Sequence, residues 1–384
     1  MVGVMRTEIH TSHESVTDLE TIWLEATRSG SFHAGAYADY TELTGVAREK
    51  LRIAVLRSEN GGRAVIAPFT LGKRKKKFSV GERHLFSLGV DTLALYSQWL
   101  MQQASEDQIG EIFYALESNT EFDWVDLGEI PIGSHLHNSL GKLGWRWIVS
   151  ERSRKASKRW LIDFPDDFDA YLQTLKSKTR QSIKRKMRKL ENKFSLDLEI
   201  ITKTKDIERF LQEGEKISRT TYQWNVGQKL RNDEETRSKF ASQCERGILR
   251  CYLLSINGRP GAFLRGTIEN GIYNYETPGF DPEFRKDSVG NVMLMYAVRE
   301  LIENTNCKVF DFGTGGDETG YKSTFGTRSI DCTYIELGRR TSFRANIVAG
   351  LQYTLNKAKN VLNKILGQGT LRRKIKAAIR KFGE

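Results

Sequence analysis

Leu249–Ile256, Gly261–Ile268 and Gly271–Glu276 are three β-prone runs, parted by Asn257-Gly258-Arg259-Pro260 and by Glu269-Asn270-Gly271. Asn-Gly supplies the two positive-φ residues of a tight hairpin turn, so the runs are predicted to form an antiparallel meander. Downstream, Gly279-Phe280-Asp281-Pro282 leads into a predicted helix from about Gly290 to Glu303. A buried strand at Lys308–Phe312, a glycine-rich loop, a short helix and a last strand at Cys332–Leu337 follow. Upstream, Trp160–Phe164 reads as a strand. Asp166 or Asp167 can cap a helix on which Phe168, Tyr171, Leu172 and Leu175 keep helical spacing. A basic helix comes next, running from Lys176 through Lys189, with Ile183, Met187 and Leu190 as its inner face.

The first part of the chain is mixed as well. Leu51–Leu56 and Ala64–Phe69 read as strands about the turn Glu59-Asn60-Gly61-Gly62. The run Lys73–Lys77 is expected on a loop or hairpin end. Residues 97–118 are helical in character, Trp124–Leu127 is a strand, Ser134–Leu143 a short helix and Trp145–Val149 another strand. No repeat with a period of 20–50 residues is evident. The expected fold class is α+β, with a first domain over residues 8–157, a second over 158–338 and a basic helical tail over 339–384.

The 384 residues suffice for two domains, and 39% are hydrophobic, enough for sizeable cores. Lys and Arg number 60 against 48 Asp and Glu, but the excess is local: residues 339–384 hold twelve Lys/Arg and one acid, Glu384. Any argument from charge to partner therefore applies to the tail first. There, Ile347, Leu351, Leu355, Ala358, Leu362 and Ile365 form one helical stripe. Gly367-Gln368-Gly369 breaks it, and Leu371, Ile375, Ala378, Ile379 and Phe382 form a second. Aliphatic stripes among cations suit an anionic membrane surface better than nucleic-acid bases, so no specific DNA binding is expected. The alternative is a helix docked on its own body. No run approaches a membrane span, and the start lacks a signal-peptide pattern. Cys244, Cys251, Cys307 and Cys332 lack paired spacing, and His135 and His137 have no third ligand in view. A reducing cytoplasm and no metal are expected, with peripheral attachment to the inner face of the membrane as an option.

The order meander, Pro-containing loop, helix, strand, loop and strand resembles the core of GNAT acyltransferases. Asn274-Tyr275-Glu276-Thr277-Pro278-Gly279-Phe280-Asp281-Pro282-Glu283 resembles an aromatic strand and its Gly-Phe-Asp-Pro turn in that superfamily. Ser288-Val289-Gly290-Asn291-Val292-Met293-Leu294 is similar to its helix start. Phe310-Asp311-Phe312, Gly316-Asp317-Glu318 and Tyr321-Lys322-Ser323-Thr324-Phe325-Gly326 resemble the segments that follow. Lys178-Thr179-Arg180-Gln181-Ser182-Ile183 and Phe32-His33-Ala34-Gly35-Ala36-Tyr37 match further upstream. Within the superfamily the chain is most similar to acetyltransferases linked to bacterial cellulose and exopolysaccharide synthesis (the CelD/BcsL type), which in turn resemble Fem-type aminoacyl transferases. The resemblance spans roughly residues 30–338. It implies two tandem GNAT-like domains with mainly antiparallel sheets, the first a degenerate copy, and an acyl-CoA donor such as acetyl-CoA with an amino-sugar or other amine acceptor.

A helix N-terminus suits a pyrophosphate, which puts Arg285, Ser288, Val289, Gly290 and Asn291 forward as the donor site. Arg285-Lys286-Asp287-Ser288-Val289-Gly290 carries Ser288 where the superfamily pattern has its first glycine, and Asp287 is unhelpful beside phosphate. Acyl transfer to an amine also needs a polarised carbonyl and a held oxyanion. A backbone amide from a bulged strand within Tyr273–Pro278 can supply the latter, with Pro278 ending the ladder. Asp311 is a candidate base or amine anchor, or a structural carboxylate bonded to loop amides. Asp317, Tyr321 and Lys322 complete the catalytic candidates. Arg180, Tyr222, Trp224 and Tyr275 are candidates for substrate binding. No activated Ser or Cys stands out, so direct transfer is expected over a covalent intermediate. The competing readings are a Fem-like transferase using aminoacyl-tRNA, which the basic helix would suit, and a non-enzymatic membrane-surface module.

Overall fold

The computed structural model describes residues 5–28, 43, 47–58, 64–80, 83–96, 101, 104–140, 143–150, 153, 155–221, 224, 229–314 and 320–366. It divides into two compact units. The described residues up to Ala156 and from Cys332 onward belong to the first, and those of Ser157–Asp331 to the second. The division is discontinuous, so residues 332–338 and the described part of the tail fall with the first unit. The domain expectation had separated them from it.

The second unit is built on β7 (Ala156–Asp163), β8 (Leu196–Ile201), β9 (Cys251–Ile256), β10 (Arg259–Glu269), β11 (Ile272–Phe280) and β12 (Val309–Thr314). Their order in the sheet is β7-β12-β11-β10-β9-β8. Neighbours are antiparallel except β11 and β12, which are parallel. The predicted meander is present, and both turns carry the expected geometry: Asn257 and Gly258 have φ of 52° and 75°, Asn270 and Gly271 of 45° and 77°. One face of the sheet presents Tyr252, Leu254, Leu264, Phe310 and Phe312 to α4 (Phe168–Thr174), α5 (Ser177–Lys193) and α8 (Val289–Asn304). The other presents Cys251, Leu253 and Phe263 to α6 (Thr204–Arg219) and α7 (Glu234–Glu245). This alternation is what a sheet covered on both faces requires. Asp167 caps α4 by accepting from the Ala170 amide at 2.7 Å, and Ile183, Met187 and Leu190 are the buried residues of α5, both as expected.

Two expectations for this unit are corrected. β11 does not stop at Glu276; it runs to Phe280, and Pro278 pairs with Leu264. Beyond Asn274 the strand has a neighbour only on the β10 side, an edge position where a residue without N–H is tolerated. The sequence reading also passed over α6, α7 and β8 altogether.

The first unit contains β1 (Met5–His10), β2 (Leu51–Ser58), β3 (Val65–Val80), β4 (Arg83–Leu95), β5 (Trp124–Pro131), β6 (Trp147–Val149) and, from Cys332, most of β13 (Arg328–Arg339). The order is β1-β2-β3-β4-β5-β13, with β6 on β13. Again only one pair, β4 with β5, is parallel. The two units thus share one pairing pattern, an antiparallel run closed by a parallel crossover and one more antiparallel strand. α1 (Leu19–Arg28) and α2 (Glu106–Asn119) cover this sheet, α2 starting from a capping box between Ser105 and Gln108. α3 (His135–Leu140) is short.

Lys73–Lys77 is not a loop. It lies inside the 16-residue β3, fully paired with β4. The described part of the tail takes the docked alternative, with its stripe shifted. α10 (Phe343–Leu366) docks Ala345 and Val348 against Phe78, Val90 and Trp124, with Leu351 and Leu355 packed beside them. The buried stripe is offset from the predicted one, and Ile347 is left 38% exposed. The second predicted stripe, Leu371–Phe382, lies outside the described residues. No helix among the described residues is long and apolar enough to cross a membrane.

Candidate active site

β11 and β12 pair over only three residues, Ile272–Asn274 with Val309–Asp311, and then part. On its other side β11 carries a bulge. Arg265 faces Thr277 and Gly266 faces Tyr275, which leaves Glu276 as the extra residue. The bulge falls within the Tyr273–Pro278 segment expected to offer an oxyanion contact. Glu276 turns its carboxylate to Arg265 at 3.0 Å. An aromatic cluster stands where the strands diverge: Tyr275 lies 5.5 Å from Phe312 and 6.4 Å from α9 (Tyr321–Phe325), measured to Tyr321. The hydroxyls of Tyr275 and Tyr321 are 3.0 Å apart, and Tyr321 is 41% exposed.

The open end of β11 leads through a short 3-10 helix, Pro282–Asp287, to α8. Asp281 caps it by accepting from the Glu283 amide at 2.9 Å. Ser288 sits at the junction with φ of 60° and ψ of 32°, the left-handed conformation that a glycine adopts without strain. The serine found in place of the pattern's glycine therefore still takes the glycine's backbone shape. Gly290 permits close packing: a Cβ there would stand 3.0 Å from the Phe280 ring. The first amides of an α-helix have no carbonyl partner four residues back within it, so Val289 and Gly290 present N–H donors at the positive end of the α8 dipole. The Asn291 amide, expected as a third, already donates to the Ser288 carbonyl at 3.0 Å. Arg285 and Lys286 flank this end. Asp287 does not stand as an uncompensated negative charge there. Lys193 and Lys189 of α5 engage its carboxylate at 3.0 and 3.4 Å. The Lys193 hydrogen bond leads in holding that carboxyl below its usual range, against a smaller opposing effect of burial.

Asp311 is corrected as a candidate base. It is 2% exposed, and both oxygens are engaged. Arg159 of β7 donates through Nε and Nη2, at 2.6 Å for the shortest contact, and the Gly313 amide donates at 2.7 Å. The carboxylate thus fixes the turn at Gly313, whose φ is 64°, and its second expected reading, a structural carboxylate bonded to loop amides, fits the geometry. Sequence reasoning missed Arg159. Its partner is 152 residues away, and nothing local marks it. Lys322 is likewise committed, donating to the carbonyls of Phe312 and Thr314 at 2.7 and 2.8 Å. It straps its own helix, α9, to the end of β12.

Tyr275, Tyr321 and Lys322 are thus brought together, and Arg285 through Asn291 gather at the start of α8. Arg180 is apart from the start of α8. It lies in the first turn of α5, bonded to the Gln173 carbonyl at 3.4 Å, whereas the Lys193 end of that helix is the one that meets Asp287. The helix between the two ends is about 20 Å long. Trp224 is flanked by Arg219 and Lys229, each 4.9 Å from its ring. Asp317 and Tyr222 lie outside the described residues. Among the described residues no group of three or more His, Cys, Asp or Glu could hold a metal ion.

Residues 177–323 match the family described as acetyltransferase (GNAT) domain. No curated protein matches the chain. Among solved structures, FemX is similar at a TM-score of 0.52 and 10% identity, covering 86% of this chain and 96% of that one. The C-terminal domain of a putative lysylphosphatidylglycerol synthetase from Agrobacterium fabrum aligns at a TM-score of 0.49 and 10% identity, over 86% of this chain and 94% of that one. A tandem GNAT protein from the clavulanic acid biosynthesis pathway aligns at 0.43 and 13% identity, over 87% and 98%. At these identities the likeness to FemX speaks for the fold alone. The parted parallel strands, the bulge and the helix start beyond them all fall within the matched segment: residues 177–323 are a GNAT-superfamily acetyltransferase domain.

Proposed function

We propose that this chain is an acyl-CoA-dependent N-acyltransferase that moves a short acyl group, acetyl being the simplest, directly onto an amine acceptor. The observation that carries this reading is the divergence of β11 and β12 after three pairs, with the Glu276 bulge on one arm and the Ser288 start of α8 at its open end. The donor diphosphate would lie on the amides of Val289 and Gly290 with Arg285 and Lys286 nearby. Its thioester would then reach the gap beside the bulge, where a β11 amide beyond the last β12 pair can hold the oxyanion. The acceptor amine, neutral when it reacts, attacks the thioester carbonyl carbon. The C–S bond breaks, and the departing thiolate takes a proton. Tyr321, paired with Tyr275 at the mouth of the gap, is the donor best positioned for that step. The proton shed by the amine goes to solvent, which returns one to Tyr321, since both Asp311 oxygens are already occupied by donors.

A sugar amine of a glycan or envelope precursor is the acceptor class we favour, from the resemblance to exopolysaccharide-associated acetyltransferases. A Fem-like use of aminoacyl-tRNA is the second reading, and the exposed lysines and arginines of α5 support it. A thermal-shift series separates them, because a ligand that binds only the native state raises apparent stability. CoA and acetyl-CoA should raise the Tm with uncharged and charged tRNA inert; a shift with tRNA and none with CoA would reverse the assignment. In the acyl-transfer assay, Tyr321→Phe should lower kcat by about 10²-fold with little change in the KM for donor. An unchanged kcat would remove Tyr321 from the proton step.

A further inference from the structure

The sheet of the second unit ends at β8. β9 pairs along one side of it, and no strand among the described residues pairs along the other. Every second residue of such an edge strand points its N–H and C=O outward, a row that another strand can meet. Prolines and bulges are two of the devices that guard an edge. β8 has neither: it reads Leu196-Asp197-Leu198-Glu199-Ile200-Ile201, and its register with β9 runs unbroken. Asp197 and Glu199 alternate onto the face that α6 covers, where Arg209 pairs with Glu199.

Beside this edge, on the opposite face, lies an apolar groove of about 490 Å³. Its floor is Leu196 and Leu198 of β8, Leu254 across from Leu198 on β9, and Phe194. Ile200, next on the same face of β8, is 38% exposed. The far wall is one face of α8, with Tyr296, Arg299, Glu300 and Glu303 at helical spacing. The charge around the groove is mainly negative. Glu300 is neutralised by Arg250 and accepts from the Tyr252 hydroxyl at 2.7 Å. Arg299 is stacked over the Phe168 ring, 4.5 Å from its centroid. Glu191, at the end of α5, accepts from the neutral Tyr296 hydroxyl at 2.7 Å. Glu191, Glu303 and, across the edge, Asp197 are exposed and form no ion pair among the described residues. These three carboxylates stand against the single guanidinium of Arg299.

A second copy of this chain is a poor occupant of the edge. In the antiparallel registers of longest overlap about a two-fold axis, Asp197 would lie opposite a copy of Glu199, or Glu199 opposite itself, and like charges directly across a sheet repel. A cationic strand meets no such penalty. We propose that β8 takes up an extended segment of another protein as one more strand of the sheet, a segment in which apolar residues alternate with lysine or arginine. Its apolar side chains enter the groove over Leu196 and Leu198. Its cations fall on the other face, where they meet Asp197, and a cation at either end of the segment reaches Glu191 or Glu303. The site shares no residue with the donor candidates at the start of α8, and it stands independently of the acyl-transfer reading.

Fluorescence anisotropy on the full chain tests this with a labelled, amidated peptide of about seven residues in which lysine alternates with isoleucine. The peptide should bind saturably, and its counterpart alternating glutamate with isoleucine should not. Two further versions carry N-methyl groups on the isoleucine amides or on the lysine amides. A strand turns alternate amides toward its neighbour, so one version should bind at least about tenfold more weakly and the other should keep its affinity. The chain carrying both Asp197→Lys and Glu303→Lys, at exposed positions, should bind the alternating peptide about tenfold more weakly than wild type. Equal binding by the two N-methylated versions, or binding undiminished by the two charge reversals, would overturn the proposal. So would a dimer in sedimentation velocity that Asp197→Lys alters, since the edge would then belong to a second copy.

Discussion

Ser288 keeps a left-handed backbone that costs an L-residue about 1–2 kcal/mol, and glycine's greater freedom in the unfolded chain returns about 0.4–1 of that on substitution. Ser288→Gly should therefore leave stability unchanged or raise it by up to about 1.6 kcal/mol. Ser288→Val should lower it by at least about 1 kcal/mol, because a β-branched side chain tolerates this region poorly. Urea denaturation of the two variants checks the pair. Asp311 invites a different test. Removing its charge strands the Arg159 guanidinium, whose side chain is only 16% exposed. Asp311→Asn should thus cost about 3 kcal/mol of stability. At temperatures where the variant remains folded, its pH–rate profile should keep the wild-type shape; a lost limb would restore Asp311 as the base. At this scale single residues could be picked out from the sequence, and their contacts could not. Asp311, Lys322 and Ser288 were all visible as unusual residues. Their partners, an arginine 152 residues away and two carbonyls on a neighbouring strand, arise only when the chain is folded.

Among the elements, α5 is tied to the turn before α8 by Lys189 and Lys193 on Asp287. The carboxyl of Asp287 is held below its usual range, led by the Lys193 hydrogen bond. Its contribution is therefore present above the ordinary carboxylate range, near about pH 4, and is lost as pH falls through the lower folded value. Both lysines are half-exposed, so the tether is worth roughly 0.5 kcal/mol. Asp287→Asn should be less stable than wild type by that amount at about pH 7 and indistinguishable from it near about pH 2, as read by thermal unfolding across pH. Legibility at this scale follows backbone chemistry. The hairpins at Asn257-Gly258 and Asn270-Gly271 could be read because few residues accept positive φ. The run Lys73–Lys77 could not. Its β conformation comes from pairing with β4, which overrides the poor strand propensity of lysine, while Lys76 reaches along the sheet to Glu336.

For the molecule as a whole, α10 is a structural part of the first unit through at least Leu355. Removing residues 343–384 uncovers Phe78, Val90 and Trp124, a loss of about 3 kcal/mol. The shortened chain should show a lower Tm by differential scanning calorimetry; an unchanged Tm would mean that the helix adds nothing to the sheet. The repeated pairing pattern was implied by the resemblance to tandem GNAT-like domains and not by the residues themselves, because its two copies lie far apart in the chain and share little beyond an aspartate followed at the second position by glycine. β13 has the most practical bearing. It leaves the second unit at Asp331 and enters the first at Cys332. A piece of the protein ended near residue 157 would lack the strand that borders β5, and would leave that edge open to self-association. Half-molecules made by cutting at the midpoint are therefore unsuited to assigning activity to either side. Residues 332–366 must be grafted back, by permuting the termini or by supplying them as a separate peptide, before the amino-terminal half can be expected to stay folded.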